Sequence, residues 1–179
     1  MRILRAGFCY VLLALMTHPS FAEAKPNDAV TVRIVPASFR EASGGMLAFF
    51  DPSQHFHVVI TNGDAKSIRL WREQCSWGYA NLSFEARGPD GKVAKITKKP
   101  RAWEKNSPDW TTLLPGDHLV LDVTFDVAIW QNAPLPASGQ QRTVDMKAIF
   151  EIAEDSQTKQ NHVWTGKVSS VESKYTIFR

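Results

Sequence analysis

The strongest constraint on what this chain can fold into is an alternation of apolar and polar side chains, the period of a strand that buries one face. Leu119, Leu121, Val123 and Phe125 alternate with Val120, Asp122, Thr124 and Asp126. Val144, Met146, Ala148, Phe150 and Ile152 alternate with Asp145, Lys147, Ile149 and Glu151, and Leu82, Phe84 and Ala86 with Ser83, Glu85 and Arg87. Weaker runs cover Val30–Val35, Phe56–Thr61, Ser67–Trp71, Val93–Thr97, Val163–Ser170 and Lys174–Phe178. Turn chemistry separates them at Asn62-Gly63-Asp64, Gly88-Pro89-Asp90-Gly91 and Leu114-Pro115-Gly116-Asp117. Beyond the N-terminal segment there is no long run at helical spacing, no internal repeat and no low-complexity tract. The expectation is an all-β protein: one antiparallel β-sandwich of about nine strands, with a closed barrel as the alternative.

Residues Met1–Ala24 follow a different pattern. Arg2 and Arg5 precede an apolar run from Ala6 to Met16, and Ser20-Phe21-Ala22 and Ala22-Glu23-Ala24 both place small residues where a signal peptidase reads them. A cleaved signal peptide is expected, with cleavage after Ala22 or Ala24 and a single domain over 25–179. The run of 11 residues falls short of the roughly 20 that a spanning helix needs, so no stable membrane insertion is expected after cleavage. Cys9 sits inside the run behind bulky Phe8, which does not suit a lipoprotein. The expected location is secreted or periplasmic.

Cleavage changes the arithmetic. The whole chain carries a formal charge of +3, but residues 1–22 contain two arginines and no acid, so the remainder stands near +1. A nearly neutral domain has no overall field to gather polyanions, and nucleic acid is not an expected partner. Cys75 is left as the only thiol, which rules out an internal disulfide. Roughly 155 residues can bury about two thirds of their unfolded surface and need no such staple.

Phe56-His57-Val58-Val59-Ile60-Thr61-Asn62, then Ile68-Arg69-Leu70, then Leu114-Pro115-Gly116-Asp117 leading into Leu119–Phe125, resembles the layout of immunoglobulin-like modules in secreted bacterial proteins. The same order is loosely similar to the BsuPI-type proteinase-inhibitor domain, also a β-sandwich. The resemblance covers roughly 30–178 and implies an immunoglobulin-like fold, with proteinase inhibition as one functional alternative. No inhibitory residue of that family maps onto a position here, and the cysteine pair that bridges the sheets of antibody domains is absent.

No Gly-x-Ser-x-Gly elbow, His-Glu-x-x-His, Gly-rich phosphate loop or Cys-x-x-Cys occurs, so the chain is read as non-catalytic and without cofactor. His55 and His57 project from one side of a strand, the beginning of a copper or zinc site. With Phe56, Val58 and Ile60 facing inward and no third ligand assignable beyond Cys75, they are read as exposed strand histidines, and no metal is expected. Cys75, beside Trp77 and Tyr79, is read as buried rather than reactive.

Tryptophan is the distinguishing component: six in the chain, with Trp71, Trp77, Trp103 and Trp110 in one central region. Along Trp71–Tyr79 the aromatics and Cys75 take odd positions, whereas Leu82 and Phe84 take even ones. The change of phase calls for a bulge or corner, which Gly78 permits. Trp103 and Trp110 fall in 98–115, the longest stretch without alternation, read as a loop carrying Lys98, Lys99, Arg101 and Lys105. Aromatic rings beside cations suit a binding surface, so Trp71, Trp77, Tyr79, Arg101, Trp103 and Trp110 are the expected ligand-binding residues. The expected role is a non-catalytic binding module for a protein segment or an envelope glycan. Proteinase inhibition and an assembly or structural role in the envelope are the alternatives.

Overall fold

A computed structural model of the chain describes residues 29–40, 44–48 and 54–179. The expected leader and both cleavage positions lie outside the described residues. The described residues are all-β, with strands in three sheets and two short helices.

The first sheet has the order β1 (Val30–Val35), β4 (Phe56–Asn62), β9 (His118–Val123), antiparallel throughout. The second is built on β11 (Gln141–Ile152), the longest strand among the described residues. On one side β11 pairs with β6 (Leu82–Arg87), then β7 (Val93–Lys98) and β10 (Trp130–Gln131). On the other side β13 (Ser173–Phe178) takes its first half and β12 (Gly166–Ser169) its last residues. Beyond β13 lie β3 (Gly44–Ala48) and β2 (Ser38–Arg40). A separate ribbon joins β5 (Ile68–Trp71) to β8 (Trp110–Leu113).

The alternation places the core. Val30, Val32 and Ile34 of β1, Phe56, Val58 and Ile60 of β4, and Leu121 and Val123 of β9 turn one face inward. From the second sheet they meet Leu82, Phe84, Ala86, Ile96, Val144, Met146, Ala148, Phe150 and Ile177 in one apolar cluster. Phe56, Phe84, Phe125 and Trp130 fill its middle in edge-to-face contacts, with ring centroids 5.2–6.0 Å apart. The Gly88–Gly91 turn closes the β6–β7 hairpin through Gly91 N–H to the Gly88 carbonyl at 3.0 Å.

All nine expected segments form strands. The described residues hold thirteen in all, so the expected number was low: β2, β3, β8 and β10 are short and lack alternation. The expectation of purely antiparallel pairing also needs correction, since β3 runs parallel to β13. The strand expected at Val163–Ser170 begins only at Gly166, because α2 (Ser156–Asn161) and its exit occupy the approach. Asp155 and Thr158 cap α2 reciprocally. Among the described residues, no helix is long and apolar enough to cross a membrane.

Candidate binding groove

The corner at Trp71–Tyr79 is made by folding back, not by a bulge. β5 ends at Trp71, directly opposite Trp110 of β8. The chain then turns at Arg72 and winds into the single helical turn α1 (Ser76–Tyr79), with Gly78 and Tyr79 N–H both donating to the Cys75 carbonyl. Cys75 is 2% exposed, and its thiol donates to the carbonyls of Arg72 at 3.2 Å and Asp109 at 3.5 Å. The connection between β7 and β8 is pinned to this corner by Asn106, which accepts from Ser76 N–H at 2.9 Å and donates to Ser76 Oγ at 2.7 Å.

The expected ligand-binding residues separate into two groups on either side of α1. Trp71, 2% exposed, is core and presents no free ring to a ligand. Trp77 and Trp110 pack on it at 5.9 and 6.0 Å, and the Arg69 guanidinium lies over Trp110 at 5.2 Å. Trp110 belongs to a strand, not to the loop expected for it, because its β5 partner draws residues 110–113 into pairing. Tyr79 and Trp103, both half-buried, meet edge to face at 5.7 Å. The exposed Arg101 guanidinium caps them, 4.7 Å from the Trp103 ring and 5.9 Å from Tyr79. None of the six tryptophans is exposed: Trp71 and Trp130 are buried and the others half-buried.

Beside the Tyr79–Trp103–Arg101 group opens a hollow of about 250 Å³, bordered by Glu73, Gln74, Lys98, Asp122 and Trp130. Lys98 forms an ion pair with Glu73 and lies 4.9 Å from the Tyr79 ring and 5.5 Å from Trp130, its side chain only 7% exposed. A larger, open hollow of about 590 Å³ lies alongside, and Glu73, Gln74 and Asp122 border both. Glu73, Gln74, Asp122 and Trp130 were not anticipated as site residues, and Lys98 was anticipated only as one of the loop cations. Their proximity depends on pairings between distant segments.

On the far side of Asp122 stand His55 and His57, the only grouping of three or more possible metal-ligating side chains among the described residues. Cys75 is not part of it; its sulfur is held within the α1 corner. No protein-family model, curated protein or solved structure matches the chain.

Proposed function

We propose that this chain is a secreted or periplasmic, immunoglobulin-like β-sandwich module that binds an envelope glycan without catalysis, at the hollow beside Tyr79, Trp103 and Arg101. The sandwich reading rests on the inner faces of two sheets sharing one core. The export reading rests on the Met1–Ala24 pattern. The observation that carries the binding reading is the composition of the hollow. Tyr79 and Arg101 line it together with Trp130, the carboxylates of Glu73 and Asp122 and the amide of Gln74, and Trp103 packs against Tyr79 and Arg101 and holds them in place. Sugars offer apolar C–H faces to aromatic rings and hydroxyls to such polar groups. A hollow of about 250 Å³ suits a terminal sugar unit, with the rest of the chain in the open hollow alongside.

The test is retention of purified envelope polysaccharide fragments by the wild-type protein, with Trp103→Ala and Arg101→Ala as variants. Each is expected to weaken retention at least about tenfold while leaving the melting temperature nearly unchanged. Retention that survives both changes in folded protein rules out this surface, and failure to retain any fragment rules out the glycan.

A second reading, an extended protein segment added as a strand or an assembly contact of the same kind, is favoured by β9. Among the described residues no strand lies beyond it in its sheet, and Val120 at its middle is 52% exposed. Such binding would survive Trp103→Ala and be lost in Val120→Arg.

A further inference from the structure

The histidine pair, which has no third ligand assignable from the sequence, gains one from strand register. β4 and β9 pair so that His57 stands directly opposite Asp122. His57 Nδ1 lies 2.8 Å from Asp122 Oδ1, and His55 Nε2 lies 4.0 Å from the same oxygen. The two imidazole centroids are 5.0 Å apart, and one ligand atom from each residue falls within 4.8 Å of the other two. His55 and Asp122 are exposed and His57 half-buried, so the cluster opens to solvent.

We propose that His55, His57 and Asp122 form a surface site for a divalent transition-metal ion, with Cu(II) preferred over Zn(II). An ion about 2.0–2.2 Å from imidazole nitrogen and carboxylate oxygen sets its ligand atoms about 3 Å apart. The His57–Asp122 contact already has that spacing, and His55 needs to close by about 1 Å, a small adjustment for an exposed side chain. Two imidazoles and one carboxylate are donors for Cu(II) or Zn(II) rather than Ca²⁺ or Mg²⁺, which take shells of oxygen. Among the first-row ions such a set binds copper most strongly, and the open side leaves room for water to complete a tetragonal shell. Without metal, His57 Nδ1–H donates to the Asp122 carboxylate. When the ion takes the Nδ1 lone pair, the neutral ring carries its proton on Nε2 instead, and the Asp122 carboxylate exchanges the N–H for the metal.

The test uses the untagged protein, titrated separately with Cu(II) and Zn(II) by calorimetry, with electron paramagnetic resonance of the copper form. Saturation at one Cu(II) per chain, a tetragonal spectrum with nitrogen hyperfine structure and weaker zinc binding are expected. Asp122→Asn and His57→Gln should each weaken copper binding at least about tenfold. His118→Gln serves as the control. His118 lies on the same face of β9, bonded to Thr61 at 2.8 Å, and its loss should change nothing. No saturable uptake, or uptake indifferent to Asp122→Asn and His57→Gln in folded protein, overturns the site. Tighter zinc than copper overturns the choice of metal.

Discussion

The backbone carbonyl of Asn62 accepts a hydrogen bond from Gly116 N–H at 2.8 Å, and Asn62 N–H donates to the neighbouring Asp117 carbonyl at 3.0 Å. The end of β4 and the turn into β9 are thereby joined. The Asn62 side chain, fully buried, extends the connection by donating to the carbonyls of Lys66 at 2.9 Å and Leu113 at 3.0 Å and accepting from Asp64 N–H at 3.0 Å. One residue thus connects the first sheet to the β5–β8 ribbon that carries Trp71 and Trp110.

Asn62→Ala removes both side-chain donors and leaves the Leu113 carbonyl without that bond in a buried setting. A loss of about 3 kcal/mol is expected, measured as a lower urea midpoint with an unchanged slope. Asn62→Asp keeps the acceptor but not the donors and should not rescue it.

Glu73 and Lys98 pair across the groove wall, with the cation almost wholly out of water. Glu73→Gln leaves the ammonium buried against Tyr79 and Trp130 without its counter-charge and should destabilise the fold by about 3 kcal/mol. Adding Lys98→Met to the same chain should recover much of that loss. A double-mutant cycle by chemical denaturation measures the coupling, and additive losses would show that the two groups act separately.

Gly78 and Gly91 should respond to alanine for different reasons. A Cβ on Gly78 would stand 2.0 Å from the Arg72 carbonyl oxygen, inside the corner that forms α1, so Gly78→Ala should cost about 3 kcal/mol or more. At Gly91, with φ +75° and nothing within 4 Å, Gly91→Ala meets only backbone strain, about 1 kcal/mol. Melting temperatures of the two variants test the order.

Tyr175 is 5% exposed, and burial pushes its phenol above the ordinary value of 10.0, partly opposed by a hydrogen bond with Ser173. The unfolded chain therefore releases this proton at lower pH than the folded one. The stability linked to Tyr175 is complete below about pH 10 and is lost as pH rises through the folded value. Urea midpoints across pH 9–11 should fall less steeply in Tyr175→Phe than in the wild type.

The parts of the fold legible in the sequence are those with period two: Leu82–Arg87 and Val30–Val35 match β6 and β1 end for end. Trp110–Leu113 was hidden because its four residues show no inward-outward rhythm, and its pairing depends on β5, some 40 positions earlier. Tyr79, Trp103 and Arg101 could be grouped from aromatic and cationic content alone. Asp122 could not, since it looks like any outward residue of an alternating strand. Its relation to His57, 65 positions away, follows only once Asn62 is known to abut Asp117. Stepping back along β4 and forward along β9 from that junction brings the two face to face.

The placement of Cys75 gives the α1 corner its own timekeeper. The thiol donates to one carbonyl from each of the two segments that meet at α1, Arg72 on one and Asp109 on the other. A thiol reagent in solution must wait for these segments to part before it reaches sulfur. The labelling rate at Cys75 therefore counts openings of the corner, and a ligand that bridges α1 and the 99–109 connection slows the count without ever touching the cysteine.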